Sequence, residues 1–206
     1  MHLMMHTKIR GAEAAGRGIS PWWGVCSGPT LNTEGRIMNI LIVAASRSGW
    51  TAGIAEWIAD EIRQAGHQVT LAPADSAPSP NGFDAAFVGS GIRAGKWEEA
   101  GSAYLTAHAD ALRTMPLVTF LSSLRAADPS EESRVEVARY TSSVVEPLGL
   151  TPAAHGSHAG GYDPKRVSLP ERMIMTVIRQ GAKVDLRDEA AVRAWAREAM
   201  GAVVPA

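Results

Sequence analysis

Asn39 to Ala65 reads NILIVAASRSGWTAGIAEWIADEIRQA, and the reading of this stretch decides the fold. Ile40 to Ala45 is a short, nearly unbroken apolar run rich in branched residues. That pattern suits a parallel strand covered on both faces, where no polar alternation is expected. Ser46-Arg47-Ser48-Gly49-Trp50-Thr51 follows at once. From there the apolar positions change period, with Ile54, Ala55, Ile58, Ala59 and Ile62 on one helical face. A hydroxyl-rich loop therefore joins a buried strand to the first turn of a helix. Helix N-termini carry unpaired N–H groups and a partial positive charge, so such a junction attracts an anion, most often phosphate.

Upstream of this stretch, residues 1–37 are rich in Gly, contain Pro21 and Pro29, and hold neither period. They are expected to be a disordered N-terminal extension, with residues 38–203 forming the compact domain and Met38 a natural start for it. Trp22 and Trp23 packing onto the domain is the alternative. The 206 residues, 46% of them hydrophobic, suffice for one domain with a proper core. A net charge of −1 gives no support to nucleic-acid or broad membrane-surface binding. The lone Cys26 cannot form an internal disulfide, which makes a cytoplasmic setting the default. No apolar run approaches the roughly 18–20 residues that span a bilayer.

Downstream, Gly66 is expected to stop the first helix. Strands follow at about His67–Ala72, Asp84–Gly89, Leu117–Leu121 and, more weakly, Thr151–His155. Helices are expected over about Lys96–Arg113, over Ser130–Glu146 with Val135, Ala138, Ser142 and Val145 on one face, and over Asp188–Met200. Ser168-Leu169-Pro170-Glu171 has the form of a capping box before a short helix carrying Met173, Ile174, Val177 and Ile178. That apolar face reads as core, or as a marginal surface for a quinone or a membrane. Alternating strands and helices argue for one doubly wound parallel sheet in three α/β/α layers.

In such a sheet, ligands bind beyond the carboxyl ends of the strands where strand order reverses. Loops 46–51, 90–97 and 122–126 leave such ends. All are rich in Ser or Gly, and each carries one arginine: Arg47, Arg93 and Arg125. Short Ser/Gly loops also occur without ligands, and a helix-capping Ser or Thr needs none. The three arginines suggest an electropositive rim, whereas taken singly each could be solvated or cap a helix. His155 and His158 form H-x-x-H on a loop without acidic or Cys neighbours, so no metal site is expected.

The loop Ser46-Arg47-Ser48-Gly49-Trp50-Thr51 resembles the phosphate loop of the flavodoxin superfamily. Gly89-Ser90-Gly91-Ile92-Arg93-Ala94-Gly95-Lys96-Trp97 resembles the G-x-S-I-R-x-G segment of the menaquinone-dependent protoporphyrinogen oxidase family, a flavodoxin-like group, with Ser90 and Gly91 departing from its pattern. The likeness runs from about Met38 to Met200. It implies a five-stranded sheet of order 2-1-3-4-5 and FMN as cofactor. Ser46, Arg47, Ser48, Gly49, Trp50 and Thr51 would cradle the phosphate. Ser90, Gly91, Ile92, Arg93, Gly95 and Trp97, with Ser122, Ser123 and Leu124, would hold the ring. Trp97 is the candidate for stacking on the ring, unless it packs on its own helix. Arg93 is the candidate for an electrostatic role in catalysis, toward negative charge on the flavin or a carboxylate-bearing substrate.

The activity implied is an FMN-dependent oxidoreductase working between a small organic substrate such as protoporphyrinogen and a quinone-type acceptor or redox partner protein. Membrane contact would be peripheral at most. A flavodoxin-type electron carrier without its own substrate site is the alternative, and an acidic rim would suit it better. The residues do not fix the substrate, the acceptor or the oligomeric state.

Overall fold

The computed structural model describes residues 36–166, 173 and 183–203. Strand β1 (Asn39–Ala45) is followed by helix α1 (Trp50–Gln64), β2 (Gln68–Pro73) and β3 (Ala85–Arg93). Then come β4 (Lys96–Trp97), α2 (Glu99–Ala107), α3 (Ala109–Arg113) and β5 (Leu117–Ser123). Helix α4 (Glu131–Val145), β6 (Ala154–Ala159), β7 (Gly161–Tyr162), β8 (Val184–Asp185) and α5 (Glu189–Val203) complete the order.

The parallel strands run β2-β1-β3-β5-β6, which is the expected 2-1-3-4-5 order of a flavodoxin-like sheet. Strand β1 pairs with β2 on one side and β3 on the other, so strand order reverses at the β1/β3 boundary. The alternation inside β1 builds the two outer layers. Ile40, Ile42 and Ala44 face α1 and α5, packing with Ile54, Ile58, Val192 and Ala196. Leu41, Val43 and Ala45 face the other way, toward Tyr104, Leu105, Leu112 and Val145. Both faces of the strand are dry, which is why it shows no polar alternation. On the first face α5 is strapped to α1 by charge. Arg197 donates to Glu61 at 2.6 Å, and Arg193 reaches Glu61 at 3.6 Å and the Trp57 carbonyl at 3.4 Å.

Four expectations are corrected. The helix expected from Lys96 begins only at Glu99: Ala94 and Gly95, both at positive φ, turn the chain into a hairpin that pairs Ile92 with Trp97 and Arg93 with Lys96. That helix also breaks at His108, whose N–H reaches the Tyr104 carbonyl at 3.1 Å before α3 begins. Helix α4 buries Ser133, Val137, Thr141 and Val145, while Val135 is exposed. Its buried face thus mixes hydroxyls with valines at a spacing of four, and apolar residues alone misplace it. The last parallel strand sits three residues later than expected, because Val118 pairs with Ala154 and Ser123 with Ala159. The extension over residues 1–35 and, Met173 excepted, the short helix expected after Ser168 lie outside the described residues. Met173 is exposed.

Candidate functional site

The carboxyl ends of β1, β3 and β5 lie side by side: Ala45 pairs with Ser90, and Gly91 with Ser122. Above them opens a cleft of about 400 Å³, a size within the usual range for small-molecule sites. Its floor and walls come from three loops distant in sequence, with a fourth segment, 160–166, closing one side.

Loop 46–49 turns into α1 through Gly49, whose φ of +85° favours glycine. Among the described residues no side chain caps the helix start, and its first backbone bond runs from Gly53 N–H to the Gly49 carbonyl at 3.1 Å. The first-turn N–H groups therefore face outward from an uncapped N-terminus. Ser46 Oγ and Trp50 Nε1 are buried without a hydrogen-bond partner among the described residues. Buried donors and acceptors of this kind are unusual unless a ligand or water meets them. Thr51 is committed elsewhere: its hydroxyl meets Ser122 Oγ at 2.7 Å, both buried, and so ties the helix start to the end of β5.

The β3–β4 hairpin brings Gly91, Ile92, Arg93 and Ala94 to the cleft. Ala94 holds φ +48° without being glycine, a strained backbone of the sort found at binding loops. Trp97 points away from the cleft, is 5% exposed and packs in the layer beneath α2 with Leu105 and Val145. The geometry removes it as a ring-stacking residue. Once it sits on a strand rather than at a helix start, pleating sends it to the face opposite its neighbour. Ser90 is also frame rather than lining: it is fully buried, donates to the Gly91 carbonyl and accepts from Glu98 N–H, both at 2.9 Å.

Of the expected site residues, Arg47, Ser48, Trp50, Thr51, Gly91, Ile92, Arg93, Ser122, Ser123 and Leu124 line the cleft. Ser46, Gly49, Ser90, Gly95 and Trp97 do not, though Ser46 and Gly49 shape the loop that does.

The sequence reading missed Ala94, Glu98, Gly160, Gly161, Tyr162 and Arg166. A Cβ on Gly161 would come within 2.7 Å of the Trp50 ring, so that backbone lies directly on the indole. The paired glycines at 160 and 161 were the available signal, since close backbone approach requires glycine. Nothing local marked Glu98, Tyr162 or Arg166.

Charge around the cleft is set by Arg47, Arg93 and Arg166 against Glu98, with Arg47 Nε 3.8 Å from the Glu98 carboxylate. Arg125 takes no part, contrary to the three-loop pattern. It is drawn onto α4, 2.8 Å from Glu136 and 3.4 Å from Glu132.

Beyond the Arg47–Glu98 pair lies a larger groove of about 760 Å³ between Pro73–Ala77 and α2. Alanines at 44, 74, 77, 100, 103 and 107 make up much of its walls, and the carboxylates of Asp75, Glu98 and Glu99 line it, which disfavours a phosphate there. The smaller cleft is therefore the candidate site. His155 and His158 alternate along β6 onto opposite faces of the sheet, and no group of metal-ligating side chains occurs among the described residues.

Comparison with known proteins agrees with this geometry. The flavodoxin domain family matches residues 41–187. Protoporphyrinogen IX dehydrogenase (quinone) of Escherichia coli strain K12 is 25% identical over 162 residues, covering 77% of this chain and 89% of that protein. Among solved structures, oxidised flavodoxin 1 from Bacillus cereus superposes with a TM-score of 0.50 at 14% identity, over 79% of this chain and 97% of its own. A short-chain flavodoxin associated with a non-canonical PDU bacterial microcompartment gives 0.51 at 12% identity, over 82% and 100%. The two structures attest the fold. A helix start without a side-chain cap among the described residues, the orphaned buried Trp50 Nε1 in its first turn and a cleft of fitting size make a site that suits a phosphorylated flavin. With the family matched over most of its length, the chain belongs to the flavodoxin domain family, and its cofactor is FMN.

Proposed function

We propose that this chain is an FMN-dependent oxidoreductase that passes electrons between an organic substrate of the protoporphyrinogen class and a quinone-type acceptor. The observation that carries the reading is the wall of the cleft, where Arg47, Arg93 and Arg166 stand among the lining residues with Glu98 as the one carboxylate. Such a wall suits a substrate bearing carboxylates, as a porphyrinogen does, better than docking on a basic partner protein. The relative from Escherichia coli, named for protoporphyrinogen and quinone, supports the same direction.

Bound FMN supplies the transfer of one or two electrons, and the protein supplies position and electrostatics. In this reading the N–H groups of loop 46–51 and the Ser48 hydroxyl hold the phosphate, and Ser46 shapes the loop behind them. Gly91, Ile92, Ser123 and Leu124 bound the ring, with Tyr162 excluding water from its side of the cleft. Ser90 and Gly95 act indirectly, by fixing the hairpin. Arg93 attracts a substrate carboxylate or balances negative charge on the ring. The protein would work in the cytoplasm with at most peripheral membrane contact. No helix among the described residues is long and apolar enough to cross a membrane.

The test is turnover by purified protein loaded with FMN, given protoporphyrinogen and a soluble quinone and followed by porphyrin fluorescence. Porphyrin should form without any partner protein. Arg93→Ala should cut kcat/KM about tenfold, as expected for loss of one charge-assisted contact, while flavin retention changes little. A flavodoxin-type carrier is the second reading, favoured by the two flavodoxin structures that share the fold. Yellow protein that turns over nothing until a redox partner is added would establish that reading instead.

A further inference from the structure

We infer that Arg166 is a phosphate-recognition residue, delivered onto loop 46–49 from the segment after β6, and that it selects FMN over flavin lacking the phosphate. The inference rests on the FMN site described above. Arg166 Nη1 donates to the Ser48 carbonyl at 3.0 Å, a contact between residues 118 positions apart. The same nitrogen lies 3.0 Å from where a Cβ on Gly49 would stand. A side chain at 49 would therefore push the guanidinium away, so this glycine both makes the turn and admits the arginine. Arg166 is also part of the cleft wall, together with Arg47, Ser48 and Trp50.

The segment that carries it is built rather than loose. Arg166 N–H reaches the Asp163 carbonyl at 2.9 Å, and the Asp163 carboxylate accepts from Lys165 N–H at 2.9 Å. The Arg166 side chain is about half exposed, and its Nε is 3.9 Å from that carboxylate, a loose pairing that, among the described residues, leaves most of its five donors available.

Arg47, the other arginine of the cleft wall at this loop, is paired about as loosely, 3.8 Å from Glu98, but no hydrogen bond among the described residues anchors it to the loop backbone as Arg166 is anchored to Ser48. Arg187 lies over the Trp50 and Trp57 rings at 4.7 and 4.8 Å, and is held by Asp185 through two bonds of 2.9 and 2.8 Å. A helix N-terminus alone offers only about half a positive charge to a phosphate carrying nearly two negative ones. Arg166 adds a full charge with fork geometry at that point.

The experiment titrates the apoprotein with FMN and with riboflavin, following flavin fluorescence at low and high salt. Wild type should prefer FMN. Arg166→Gln, which keeps an amide donor for the Ser48 carbonyl but removes the charge, should lose FMN affinity about tenfold. Its riboflavin affinity should be unchanged, and the FMN deficit should narrow as salt screens the exposed pair. Arg166→Lys should recover part of the difference. Equal weakening of both flavins, or no change in either, would overturn the inference by reducing Arg166 to a structural prop or a bystander. Wild-type protein that binds riboflavin and FMN equally would overturn it too, while leaving the flavin reading intact. Wild-type protein that binds neither flavin would end the FMN reading and this inference with it.

Discussion

Thr51 and Ser122 show what a single buried contact contributes at the mouth of this sheet. Their hydroxyls are 2.7 Å apart, at 2% and 5% exposure, and they join the start of α1 to the end of β5. The asymmetry of buried hydrogen bonds makes the consequence specific. Thr51→Val keeps the shape but strands the Ser122 hydroxyl, which should cost about 1–3 kcal/mol in urea unfolding. Adding Ser122→Ala removes the stranded group, so the double variant should be more stable than Thr51→Val alone. If the two lose the same stability, the pair is not what holds the helix start. From the sequence, Thr51 reads as one more loop hydroxyl. Its actual partner stands 71 residues away, beyond the reach of any local pattern.

At the scale of elements, β6 places two histidines on opposite faces of the sheet. His155 Nδ1 sits 3.0 Å from Thr119 Oγ1, and its Nε2 sits 3.1 Å from Ser157 Oγ. His158 meets the Trp195 ring of α5 edge-on, with centroids 4.9 Å apart and, among the described residues, no hydrogen bond to Nε2. Burial, helped by the neighbouring His155, pushes the His158 pKa from 6.5 down to about 4. A base held neutral in the fold and protonated in the unfolded chain makes stability fall with acidity. That stability is fully present above pH about 6.5 and is lost between there and about 4, on the order of 3 kcal/mol for this group. Burial also lowers His67, which adds to the same slope. Urea unfolding across this pH range should show the decline, and His158→Gln should flatten it. An unchanged slope would place its origin elsewhere. The H-x-x-H spacing is visible in the sequence, but its meaning turned on strand register: on a loop the pair could converge, and on a strand it cannot.

For the whole molecule, we propose that residues 38–203 form the compact unit. Met38 is 5% exposed and joins the core beneath α1 and α5, and Asn39 N–H donates to Asp84 at 2.7 Å. The Arg36–Asp84 ion pair just outside it is exposed on its arginine side, and pairs of that kind contribute about 0–1 kcal/mol. Brief trypsin treatment followed by N-terminal sequencing should thus yield a resistant species beginning at or next to residue 37. Protection extending well upstream would show that the preceding segment packs on the domain. The layering also explains why the site belongs to no single element. The cleft forms only where β1, β3 and β5 end together, and its fourth wall arrives from the chain beyond β6.

By itself the sequence determined the strand-loop-helix unit at 39–65, the succession of strands and helices in one parallel sheet, and the further two loops, 90–97 and 122–126, that bring Ser and Gly residues to its carboxyl edge; the strand order came from the family resemblance. These follow from periodicity, from turn residues and from the handedness of crossovers, all of which act over short stretches of chain. Only the tertiary structure decided that Trp97 lies in the core, that Arg125 is drawn off by α4, that β6 begins at Ala154, and that Arg166 rests on the phosphate-type loop. Each of those outcomes depends on a partner brought near by folding, or on which face of a pleat a side chain occupies. A one-residue difference in register reverses that face, and local sequence does not encode it.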